Sequence, residues 1–169
     1  MLEKAKKYAI EKHKEVNHYY DEYDYEHHLN QVYEIAKKFI YLIEEDERED
    51  VLSACWTHDI IEDTRESFND VKKATNETIA ELTYALTNEK GRTRDTRANE
   101  KYYKGIRETK NASFIKLCDR IANVQHSKKK KSKMFEKYKA ENENFISKIY
   151  VSKFKEIVNY LNQILTEEK

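Results

Sequence analysis

No proline and only two glycines punctuate the 169 residues of this chain. Sandwiches and barrels of short strands need those residues at their many turns, so an all-β fold is excluded. No stretch approaches the ~20 consecutive apolar residues of a membrane span, and the opening Met1–Lys7 lacks the hydrophobic region of a signal peptide. The chain is therefore expected to be cytoplasmic, with no membrane partner. An excess of charge is missing as well, since 32 basic residues balance 32 acidic ones. No global field draws the protein onto nucleic acid or anionic lipid. The acidic run Glu44–Asp50 and the basic run Lys128–Lys133 read as solvated helix ends and loops, so no nucleic-acid partner is expected. Cysteine is scarce. Cys55 and Cys118 each sit in an apolar helical stretch without a Cys-x-x-Cys partner, as reduced core residues do, which argues against a thiolate–zinc site.

Apolar residues recur every three or four positions through most of the chain, which predicts an all-α fold, a compact helical bundle in a single domain spanning 1–169. The spacing predicts a first helix over Leu2–Asn17, then a Tyr- and Asp-rich loop over Tyr19–Tyr25. Helices are expected over His27–Glu44 and Glu47–Ile61, with shorter ones over Ser67–Ala74 and Asn76–Thr87. Gly91 falls in a polar loop, Asn88–Thr93, ahead of a helix reaching Glu108. Asn111 or Ser113 would cap the next helix, which runs to His126. A last helix is expected over Asn142–Leu165.

Four ionisable side chains crowd into six residues at His58-Asp59-x-x-Glu62-Asp63, directly after an apolar helical stretch. On a continuous helix His58 would share a face with Glu62, and Asp59 with Asp63. Imidazole and carboxylate gathered there suit a divalent cation and its bound water. Two further polar groups enter apolar faces. His28, rather than His27, continues the stripe of Val32, Ile35 and Phe39. Asp119 lies in a helix apolar over most of its circumference, on a polar stripe with Lys116 and Asn123. A carboxylate there costs several kcal/mol unless donors or a cation satisfy it, and a salt bridge to Lys116 or Arg120 would do so. One divalent ion shared by His28, His58, Asp59 and Asp119 satisfies all four groups together. For the anionic side of a substrate, Lys116 and the loop Lys90-Gly-Arg92-Thr-Arg94, with Arg97 just after it, are the candidates, since the guanidinium fork suits phosphate oxygens.

Three blocks now stand together: Tyr25-x-x-His28, His58-Asp59-x-x-Glu62-Asp63-Thr64, and Lys116-Leu-Cys-Asp119-Arg120-x-x-Asn123. In order and separation they resemble those of the HD-domain metal-dependent phosphohydrolases, nearest to the hydrolase domain of Rel/SpoT alarmone enzymes and its stand-alone relatives. The resemblance covers Ala5–Lys139. It implies a helical HD bundle in which His28, His58, Asp59 and Asp119 bind one cation, Mn²⁺ in alarmone hydrolases, with Fe²⁺, Zn²⁺ or Mg²⁺ as alternatives. It further implies that Glu62 and Asp63 flank the attacking water, that Asn123 meets a small-molecule nucleotide substrate, and that Tyr25 and Thr64 fill motif positions. The chain departs from that pattern at Asn17–Glu22, where alarmone hydrolases carry a basic stretch whose arginine meets guanine, and at Leu29, where they carry proline. Expected functions are hydrolysis of a nucleotide phosphoester or diphosphate, with guanosine 3′,5′-bis(diphosphate) as the leading substrate. Other deoxynucleotides or cyclic nucleotides on the same scaffold, and a non-catalytic helical binding module, are the alternatives.

Overall fold

The computed structural model describes residues 1–166, with backbone alone at Arg94 and Asp95. Helices dominate it: α1 (Leu2–Glu15), α2 (Glu26–Phe39), α3 (Arg48–Thr57), α4 (Ile60–Asp63), α5 (Phe68–Ala74) and α6 (Glu77–Leu86) make the first half. The second half holds α7 (Arg94–Arg97), α8 (Glu100–Glu108), α9 (Ala112–Lys129), α10 (Lys133–Ile149) and α11 (Lys155–Thr166). Helix α9 is the axis of the bundle and packs against α2, α8, α10 and α11. Helix α3 packs against α1, α2 and α6 on the other side. The all-α expectation holds, and it holds for the expected reason. Helix α2 buries His28, Leu29, Val32, Ile35, Ala36 and Phe39, a single stripe at helical spacing. None of the helices among the described residues is long and apolar enough to cross a membrane.

Several boundaries differ from expectation. The segment expected as a loop contains a minimal antiparallel hairpin, β1 (Tyr19–Tyr20) paired with β2 (Tyr23–Asp24). Tyrosine favours extended backbone, and the reversals use Asn17 (φ 52°) and Asp21 (φ 53°) in the left-handed region, which these two residue types tolerate better than most. Helix α2 ends at Phe39 and passes into a 3₁₀ turn, Ile40–Leu42. The expected last helix is two, α10 and α11, separated by extended backbone at Tyr150 and Val151 and a 3₁₀ turn over Ser152–Phe154. Asn111 precedes α9 with φ 68° and gives that helix no side-chain cap; its amide donates to Glu47 instead. The two short helices expected from Ser67 and Asn76 are capped by those residues: Ser67 forms a capping box with Asp70, and Asn76 accepts from the Ile79 amide.

The break that matters most lies between α3 and α4. Asp59 takes φ −102° and ψ −1°, at the margin of the right-handed helical region, and the single helix expected over Glu47–Ile61 is interrupted by a turn at His58-Asp59. Buried Thr57 anchors the end of α3 through a 2.6 Å hydroxyl contact with Thr83 of α6. Thr64 closes α4 by donating to the Ile60 carbonyl at 2.6 Å, a structural role.

Candidate metal centre

Helices α2, α3 and α9 each deliver a side chain to one point in the core. One ligand atom each from His28, His58 and Asp119 lie within 4.8 Å of one another. His28 Nε2 is 3.3 Å from Asp119 Oδ1 and 3.6 Å from Asp59 Oδ2. His58 Nε2 is 2.9 Å from Asp59 Oδ2 and 4.0 Å from Asp119 Oδ1. Residues separated by up to 91 positions, from His28 to Asp119, thus meet. The imidazoles are sealed from solvent, at 2% and 1% exposure.

The surroundings fix each group. His58 Nδ1 lies 2.9 Å from the Cys55 carbonyl, which selects the tautomer with its proton on Nδ1 and a lone pair on Nε2. That Nε2 is buried and faces Asp59 without the alignment a hydrogen bond requires. A buried nitrogen lone pair without a donor, pointing into a pair of carboxylates, is a fit for a cation. Tyr25 donates to Asp59 Oδ2 at 2.5 Å. Lys116 Nζ donates to Asp119 Oδ2 at 2.8 Å, and Asn123 Nδ2 donates to Asp119 Oδ1 at 2.6 Å. Of the two roles open to Lys116, a bridge to Asp119 and a phosphate contact, the structure holds the bridge. Arg120 turns the other way, to Glu141 at 2.6 Å, with its guanidinium 3.9 Å from the Phe145 ring centre.

Electrostatics follow from this packing. With no cation in place, burial alone would depress His58, but Asp59 and Asp119 outweigh it and lift the imidazole to about 9, so Nε2 holds a proton that a bound cation would displace. Burial would raise both of those carboxyls. His58 and His28 hold Asp59 low instead, and Lys116 with the imidazoles holds Asp119 low. Asp63 lies outside this balance. Burial, then Asp59, then Glu62 push it up to about 7. Its carboxylate stands 3.5 Å from the Tyr25 hydroxyl and 4.0 Å from His18 Nδ1. Glu62 accepts from Asn88 Nδ2 at 2.8 Å and lines a groove of about 1350 Å³ that runs along α6 and α8.

Three residues that the spacing did not single out border the centre. Tyr20 stacks on His28, with ring centres 4.7 Å apart, and donates to Asn123 Oδ1 at 2.8 Å. His13 and His18 face each other through Nδ1 atoms 3.0 Å apart, and both stack on Tyr25. The hairpin that carries Tyr20 is clamped to α9 by Asp21 on His126 at 2.6 Å and by Glu22 on Lys130. The density of Tyr and His over 13–28 was the available signal. Arg92 is exposed and is not among the residues of the groove wall, and the side chain of Arg94 lies outside the described residues.

No protein-family profile matches the sequence, and no curated protein matches it at the sequence level. Among solved structures the chain is similar to a metazoan orthologue of SpoT that hydrolyses ppGpp and plays a role in starvation responses, with a TM-score of 0.75 and 20% identity. The likeness covers 96% of this chain and 93% of that one. The chain shares the fold of that protein, and its buried His28–His58–Asp119 cluster can hold a divalent metal.

Proposed function

We propose that the protein is a metal-dependent phosphohydrolase that cleaves a phosphoester or diphosphate of a nucleotide. The convergence of His28, His58 and Asp119, with Asp59 beside them, carries this reading. Two imidazoles and two carboxylates suit Mn²⁺, and equally Fe²⁺ or Zn²⁺, better than the all-oxygen surroundings Mg²⁺ favours. Such an ion, when bound, lowers the pKa of water and polarises a phosphoryl oxygen.

The remaining work falls to the chain's own side chains. Tyr25 orients Asp59, while Lys116 and Asn123 fix the two oxygens of Asp119, so the ligand set is held from behind. Asp63 is the proposed proton acceptor, because a carboxyl near neutrality is matched to that task. Glu62 is the second acidic group, held by Asn88 in the wall of the groove along α6 and α8. Asn123 and Tyr20 border the centre on the hairpin side. Arg92 and Arg94 stay candidate phosphate contacts from the loop before α8.

The fold match makes guanosine 3′,5′-bis(diphosphate) the first substrate to test, beside deoxynucleoside and cyclic phosphates. Elemental analysis should find one divalent ion per chain. With Mn²⁺ the protein should release phosphate or diphosphate from at least one nucleotide, and Asp59→Ala should abolish release. A protein that takes up no divalent ion would end this reading in favour of a non-catalytic helical module.

A further inference from the structure

The hairpin of β1 and β2 pairs only four residues, yet one of them touches two of the candidate metal ligands. Side chains alternate along a strand, so Tyr19 points outward at 58% exposure while Tyr20 turns in and is partly buried. The Tyr20 ring lies against two imidazoles, its centre 4.7 Å from that of His28 and 4.5 Å from that of His126. Asp21 of the same hairpin meets His126 at 2.6 Å, which ties the chain reversal to α9 beside the ring.

The hydroxyl end of Tyr20 meets Asn123, whose amide has one sound orientation. Asn123 Nδ2 donates to Asp119 Oδ1 at 2.6 Å and to the Asp119 carbonyl at 3.0 Å, and both of those oxygens only accept. A flipped amide would set its own oxygen against the two of them. Oδ1 therefore faces the hairpin, where it accepts from the Tyr20 hydroxyl at 2.8 Å. Asp119 Oδ1 is also the oxygen that lies 3.3 Å from His28 Nε2. A hydrogen-bonded chain thus runs from the hairpin through Asn123 to the ligand oxygen nearest His28. The ring of the same tyrosine covers His28 itself.

We propose that Tyr20 is a positioning residue of the metal centre, holding Asp119 through Asn123 and His28 through its ring, so that hairpin docking and metal binding are coupled. Such coupling is reciprocal: what the docked hairpin adds to metal affinity, the ion returns to hairpin docking. A tyrosine that merely fills space would stabilise the empty and the loaded protein equally. This inference rests on the metal-dependent reading above.

Mn²⁺ alone is the probe, titrated calorimetrically into the full chain after divalent ions have been removed by chelation. Tyr20→Phe keeps the ring and deletes the hydroxyl, and it should weaken Mn²⁺ binding by about tenfold. Tyr19→Phe, the exposed neighbour on the same strand, should leave affinity unchanged. In an Asn123→Ala background, Tyr20→Phe should change affinity by less than about twofold, because the connecting amide is gone. Amide hydrogen exchange over residues 19–24 should slow when wild type is loaded with Mn²⁺, and that protection should shrink in Tyr20→Phe. Equal affinity of Tyr20→Phe and wild type, an undiminished loss in the Asn123→Ala background, or hairpin exchange indifferent to Mn²⁺ would each overturn the positioning role. A wild type that takes up no Mn²⁺ would overturn both this role and the reading beneath it. The expected Mn²⁺ results with no nucleotide hydrolysed would instead overturn the phosphohydrolase reading and leave the positioning role standing.

Discussion

Asp119→Asn is the sharpest perturbation of the centre, because it removes one charge and almost no volume. The substituted amide keeps an oxygen for the Asn123 donor, which now sits at 2.6 Å, so that hydrogen bond can survive. The Lys116 ammonium, 2.8 Å from the lost carboxylate, is stranded with its side chain only 19% exposed. Breaking a buried pair from one side costs ~3–5 kcal/mol, and the residual exposure of Lys116 places the loss near about 3 kcal/mol. For a chain of this size that lowers Tm by about 6–12 °C. The assay is urea and thermal unfolding in chelator and in excess Mn²⁺. Wild type should gain about 2.7 kcal/mol when the ion is at a hundred times its Kd, and the variant should gain nothing. Lys116→Met combined with Asp119→Asn should cost less than the two single losses added, because neither charge is then left alone. If Asp119→Asn stays within about 0.5 kcal/mol of wild type in chelator and keeps the metal gain, the geometry has been misread.

Other outcomes follow from separate contacts. Tyr25→Phe deletes the hydroxyl on Asp59 and keeps the stacked ring, so metal affinity should fall by about 10–100-fold with little loss of secondary structure. His13 is buried, and its imidazole is pushed down to about 3 from 6.5, chiefly by burial. The unfolded chain takes up this proton first, so the stability it contributes is present above pH 6.5 and lost as pH falls toward 3, by a few kcal/mol. His13→Phe should flatten the stability–pH curve over that interval, and an unchanged slope would count against it. Gly105 lies inside α8 with open space where a Cβ would go, so Gly105→Ala should stabilise by ~0.5–1 kcal/mol in urea melts.

The helical class was legible because burial on one stripe leaves a period in the sequence, as Val32, Ile35 and Phe39 show. The partners of the centre were legible for a related reason: His28 and Asp119 are polar groups on faces otherwise apolar. Their meeting at one point is a tertiary fact that no local spacing contains, and it came from the likeness of three blocks to a known family. The hairpin escaped notice because its left-handed positions are filled by Asn17 and Asp21 rather than glycine. The division of the last helix escaped notice because extended backbone at Tyr150 carries no proline or glycine to mark it. His13 and His18 were hidden for want of periodicity; their roles depend on stacking across elements. Lys116 could be read two ways from its stripe, and only the distance to Asp119 separates them.

The turn at His58-Asp59 ties two properties of the chain together. Adjacent residues on a regular helix point about 100° apart. Here the turn accompanies a His58 Nε2 that lies 2.9 Å from its neighbour's carboxylate. A substitution that regularises this stretch is therefore expected to alter the ligand set as well as the stability of the helix.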